Sequence, residues 1–173
     1  RLVRGVKKGR RMVKQQKPGK NEGEETALDC SLTLLEKRDY SIRELGEKLR
    51  GKGFDESETQ RSVSRLSEWG YLDDHKLSRR IIERFLEEER SREYIRRRLE
   101  KAGIEEGTLQ VGLDLLYPAE KEREIVLKQW ESLRQNSGSN HPTSKEKTKW
   151  ANKLCRRGFP LTLLEALLSS EEF

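Results

Sequence analysis

The chain repeats itself. The segment Ser41–Phe54, SIRELGEKLRGKGF, aligns without gaps to Ser91–Ile104, SREYIRRRLEKAGI, and a third copy ends as WANKLCRRGF over Trp150–Phe159. The shared glycines, Gly53, Gly103 and Gly158, lie 50 and 55 residues apart. In each copy a Leu stands four residues before the Gly, and Phe or Ile follows it. A helix closed by a left-handed glycine at C′ brings the next residue, C″, against C3. The pattern therefore predicts three such ends, pairing Leu49 with Phe54, Leu99 with Ile104, and Leu154 with Phe159. Self-similarity at this period is the mark of a tandem array.

The rest of the sequence is helical in character. Leu outnumbers Val and Ile together by two to one, which favours helix over strand. Leu77, Ile81 and Phe85 form one stripe at helical spacing, with Ile82 and Leu86 beside it. All four prolines, Pro18, Pro118, Pro142 and Pro160, fall where the apolar pattern breaks. Helices are expected near 24–37, 42–52, 56–69, 74–90, 92–102, 105–116, 119–135, 144–157 and 160–169. Ser41 with Glu44, Asp55 with Glu58, and Thr143 with Glu146 have capping-pair spacing. The expected architecture is all-α: three three-helix, helix-turn-helix-like repeats in an elongated, curved array. Residues 24–72, 73–117 and 118–173 would form the repeats, and 1–23 a flexible basic tail. Charged residues make up 39% and apolar ones 32%, so each unit has a small core and is marginal alone, which suits stacking.

The net charge of +6 is unevenly placed. Residues 1–20 hold nine basic side chains and no acid, leaving 28 basic against 31 acidic groups in the remainder. Such a tail suits polyanions, with Lys7, Lys8, Arg10, Arg11 and Lys14 as candidate contacts. A solubilising leader is the plainer alternative. No long apolar run or secretory h-region is present, so a cytoplasmic protein with no membrane association is expected. Cys30 and Cys155 read as reduced thiols. His75 and His141 are far apart with no Cys-x-x-Cys nearby, so no metal is expected.

No catalytic constellation emerges, and no cofactor is implied. Gly46–Lys52 begins like a phosphate-binding loop, but Gly53 stands where Ser or Thr is required. Tyr71-Leu72-Asp73-Asp74 reads as a linker in which Tyr71 and Leu72 pack and Asp73 caps the next helix. Trp69, Trp130 and Trp150 read as core. The candidate partner-binding group is basic: Arg92, Arg96, Arg97, Arg98 and Lys101 on one helix, with Arg79 and Arg80 on the helix before it. They suit phosphates or an acidic protein surface. The alternative is a surface salt-bridged to Glu83, Glu87 and Glu93.

The stretch LLEKRDYSIRELGEKLRGKGF at 34–54, followed by RLSEWGYLDD at 65–74, resembles the RecX family of bacterial regulators of the RecA recombinase. The resemblance is strong over about 26–105. It is weaker over 106–173, where the repeat spacing and the Arg157-Gly158-Phe159-Pro160 end carry it. It implies a curved array of three-helix repeats without catalytic residues. It also implies a monomeric partner of the RecA–DNA filament that lodges in its groove and limits filament extension, ATP hydrolysis and strand exchange, thereby modulating recombination, DNA repair and the SOS response. Weak, non-specific DNA contact through the tail is a further expectation. The rival reading is a helical DNA-binding protein acting through helix-turn-helix-like units and the tail, against which the body's net charge of −3 argues.

Overall fold

The computed structural model describes residues 26–138 and 142–169. The tail and its five candidate contacts lie outside the described residues, as does His141. Among the described residues there are nine α-helices and no strand. They are α1 (Ala27–Lys37), α2 (Ile42–Gly51), α3 (Glu56–Glu68), α4 (Asp74–Glu87), α5 (Arg92–Ala102), α6 (Glu106–Leu116), α7 (Ala119–Ser137), α8 (Ser144–Arg156) and α9 (Leu161–Ser169). The principal helix contacts fall within the triplets α1–α3, α4–α6 and α7–α9.

Polar residues set the helix starts. Thr26, Ser41, Asp55, Asp73, Ser91 and Thr143 each accept a backbone N–H from the first turn. Of the three expected capping pairs, only Thr143 with Glu146 forms the reciprocal box.

The three glycine ends are built alike. Gly53, Gly103 and Gly158 have φ of 97°, 83° and 90°. The next residue's N–H reaches back to the C3 carbonyl: Phe54 to Leu49 at 3.3 Å, Ile104 to Leu99 at 3.1 Å and Phe159 to Leu154 at 3.3 Å. Each glycine N–H also donates to the C2 carbonyl, completing a Schellman end. Gly70 closes α3 in the same way, and Glu89, at φ 53°, closes α4 without a glycine.

The core is divided unequally. Leu45, Leu49, Val63 and Leu66 centre a cluster confined to the first triplet. The second and third triplets share one continuous cluster, running from Ile82 and Leu99 through Tyr117 and Trp130 to Leu154 and Leu164. Three separate small cores were the expectation. The difference arises because Tyr117, Ile125 and Trp130 bridge the α6–α7 connection, whereas the first triplet meets the second through polar groups. In α9, Leu164 and Leu167 are buried and Leu168 only partly so.

Candidate partner-binding surface

The triplets are joined by one polar device used twice. At the first joint the Ser41 hydroxyl donates to the Ala102 carbonyl at 2.5 Å, and the Ile42 N–H donates to Asp74 Oδ1 at 3.0 Å. At the second joint the Ser91 hydroxyl donates to the Arg157 carbonyl at 2.9 Å, and the Arg92 N–H to Glu122 Oε1 at 2.9 Å. In both, the accepting carbonyl precedes a Schellman glycine. Each N-cap serine therefore caps its own helix and docks on the end of the equivalent helix in the next triplet. Burial raises the carboxyl pKa of both Asp74 and Glu122 above the usual range, against the opposing effect of the N–H each accepts.

The candidate arginines have unequal roles. Arg92 is turned inward, donating to the carbonyls of Leu113 (2.9 Å) and Tyr117, with Asp114 at 2.5 Å on its other nitrogen. Arg96 is tied to Glu106 and Gln110 of α6 and to Glu100 one turn on. Arg97 pairs with Glu93 at 2.7 Å, and Arg80 with Asp39 at 2.7 Å. Arg98 lies over the Phe85 ring at 5.5 Å. Arg79, Arg98 and Lys101 are exposed and have no carboxylate partner among the described residues. Of the three acids expected to pair with this group, Glu93 does so; Asp39, Glu100, Glu106 and Asp114 take the remaining places. Sequence spacing could not show the pairs with Glu106, Asp114 and Asp39, because partners on α6 and before α2 are brought in by tertiary packing.

Arg79 and Arg80 instead face the joint between the first two triplets. With Tyr40, Tyr71 and Lys76 they line a groove of about 320 Å³. Tyr71 is 51% exposed and Trp69 42%, so neither is core. They meet edge to face at 6.5 Å, with the Arg65 guanidinium 5.5 Å from the Trp69 ring. The Schellman end at Gly70 turns the chain so that Leu72 enters the core in place of Tyr71. Asp73 caps α4 as expected, and its hydrogen bonds to Lys76 hold its pKa below the usual carboxylate range. Trp130 and Trp150 are buried against one another, edge to face at 5.5 Å.

Sequence reasoning placed the helix α8 but missed its cationic face. Lys145, Lys149, Lys153 and Arg156 are exposed along it and none has a carboxylate partner among the described residues. Their i, i+4 spacing was legible, but the opposing charge on the whole body masked it.

The first three-helix domain of RecX is the family description that matches, over residues 27–66. "Regulatory protein RecX" of Caldanaerobacter subterraneus subsp. tengcongensis is 30% identical over 100 residues, 58% of this chain. The chain spans about half of that relative's length, 51%. "Regulatory protein RecX" of Xanthomonas axonopodis pv. citri is 27% identical over 83% of this chain and 86% of its own. The crystal structure of RecX from Lactobacillus salivarius superposes with a TM-score of 0.72 at 18% identity, covering 82% of this chain and 92% of that one. The chain is thus similar to RecX proteins in sequence and in fold. A second crystal structure, of a regulatory protein RecX, gives a TM-score of 0.65 at 21% identity and covers 80% of this chain. The shared fold covers 80–82% of this chain, more than the segment over which the sequence resemblance is strong. No helix among the described residues is long and apolar enough to cross a membrane.

Proposed function

We propose that the chain is a non-enzymatic regulator that binds the RecA–DNA filament and inhibits it, limiting extension, ATP hydrolysis and strand exchange. The observation that carries this reading is the match to regulatory RecX proteins across 83% of the chain, together with the shared array of three-helix units. The surface chemistry suits a protein partner. Exposed aromatic and arginine side chains, here Tyr71, Trp69, Arg65 and Arg79, are the types that dominate binding energy at protein interfaces. Arg98 and Lys101 supply further cations on the middle triplet, without carboxylate partners among the described residues. Arg96 is a poor contact, because its guanidinium already bridges α5 to α6.

A regulator of this kind recognises a surface that exists only once RecA has assembled. The chain should therefore suppress RecA ATPase on single-stranded DNA at concentrations well below those at which it coats the same DNA alone. Inhibition that follows the chain's own occupancy of DNA, and disappears on adding competitor DNA, would favour the DNA-binding reading instead.

A further inference from the structure

We infer that the exposed face of α8, with the groove beside it, is a binding surface for the phosphate backbone of a single-stranded nucleic acid. α8 buries Trp150, Ala151 and Leu154. On its other side stand Lys145, Lys149, Lys153 and Arg156, all exposed. Steps of four, four and three residues place these cations within an arc of about 80° along about 16 Å of helix axis. They form a straight cationic rail with charges about 5–6 Å apart.

The fold does not account for this rail. Like charges at i, i+4 repel, and a lysine in the first turn opposes the helix dipole. On α5 the same problem is met by carboxylates at Arg92, Arg96 and Arg97. On α8 the single acid, Glu146, is turned back to Thr143, accepting its backbone N–H at 2.8 Å. Those bonds chiefly hold the Glu146 pKa below the usual range, with a smaller attraction from Lys149, and no ion pair forms between the two among the described residues. Among the described residues, Arg156 makes only a bond to the Asn152 carbonyl within its own helix.

A second, independent feature lies beside the rail. The end of α7 and the flank of α8 enclose a groove of about 580 Å³. Lys149, Lys153 and Arg156 form one side, while Leu133, Asn136 and Trp150 also line it. A cationic rim over a partly apolar floor matches a strand whose phosphates follow the rim while a sugar or unpaired base edge enters the groove. A duplex keeps its bases stacked inward and would leave the floor unused. This surface belongs to the third triplet, apart from the groove at the first joint, and it does not depend on the recombinase reading.

The test uses the full chain, a fluorescein-labelled oligothymidylate and anisotropy titrations over a range of salt. The variant carries Lys145→Gln, Lys149→Gln, Lys153→Gln and Arg156→Gln together. Each single-strand phosphate contact contributes about 0.7 to the log–log salt slope, so the variant's slope should be shallower by about 2.8. Its affinity at low salt should fall at least tenfold. A second measurement needs no variant: acetylation of Lys145, Lys149 and Lys153 in the wild type should be slowed by the oligonucleotide, relative to exposed Lys48. An unchanged slope, or equal labelling of all four lysines, overturns the inference. So does a variant that binds the strand normally but fails only with an acidic protein partner.

Discussion

Valine at position 158 or 103 should destabilise the protein by about 3–5 kcal/mol, whereas valine at 53 should cost about 1–3 kcal/mol. All three glycines hold positive φ, so each substitution forces a β-branched residue into left-handed backbone. The difference is what a Cβ would meet. At Gly158 it would lie 2.7 Å from Ser91 Oγ, and at Gly103 it would lie 2.8 Å from Arg43 Nε and 3.0 Å from Ser41 Oγ. At Gly53 nothing among the described residues lies within 4 Å. Gly103 and Gly158 are thus both helix terminators and contact points for the preceding triplet, while Gly53 has no triplet docked upon it. Thermal or urea unfolding of the three variants measures the gap. Equal losses at all three positions would mean that the joints tolerate a side chain and that only backbone conformation matters.

Arg92→Met should cost about 2–4 kcal/mol. The substitution keeps the stem's apolar bulk but removes the guanidinium that satisfies the Leu113 and Tyr117 carbonyls at the end of α6. Tyr117 is wholly buried, and its own hydroxyl donates to the Arg90 carbonyl at 2.9 Å, so the surroundings have little freedom to supply water or another donor. Lysine should recover only part of the loss, because a point charge cannot serve two carbonyls and Asp114 in the fixed fork of a guanidinium. Arg97→Met is the contrast. Its side chain is 74% exposed and pairs only with Glu93 among the described residues, so the loss should stay below about 0.5 kcal/mol. Urea denaturation of the two variants checks both values. Similar small losses would return Arg92 to the surface group of cations.

The repeat was legible because its cause is local. A Leu, a left-handed Gly and an apolar C″ residue lie within six positions, and the chain must spell them consecutively to end a helix in this way. Helix limits followed to within three residues, since Ser, Thr and Asp caps and prolines act on adjacent backbone. The joints were hidden for the opposite reason. Ser41 meets Ala102 and Ser91 meets Arg157 across more than sixty residues, and a serine that caps its own helix gives no sign of a second partner. Helical spacing let Glu93 be expected among the partners, but Asp114 and Glu106 reach Arg92 and Arg96 from α6, and Asp39 reaches Arg80 from the segment before α2, so those pairs could not be read from the helices that carry the arginines. Trp69 and Tyr71 were misjudged because an aromatic residue at an apolar position is ordinarily core. Here the turn at Gly70 carries them past the edge of the first triplet.

The most direct measurement of the filament reading is the order of addition. RecA is assembled on single-stranded DNA with ATP, its hydrolysis rate is recorded, and the chain is then added. A regulator that recognises the assembled filament lowers the rate of preformed filaments, and does so without first competing for bare strand. Inhibition seen only when the chain precedes RecA, in proportion to the DNA it covers, would contradict that reading and leave a DNA-binding protein in its place.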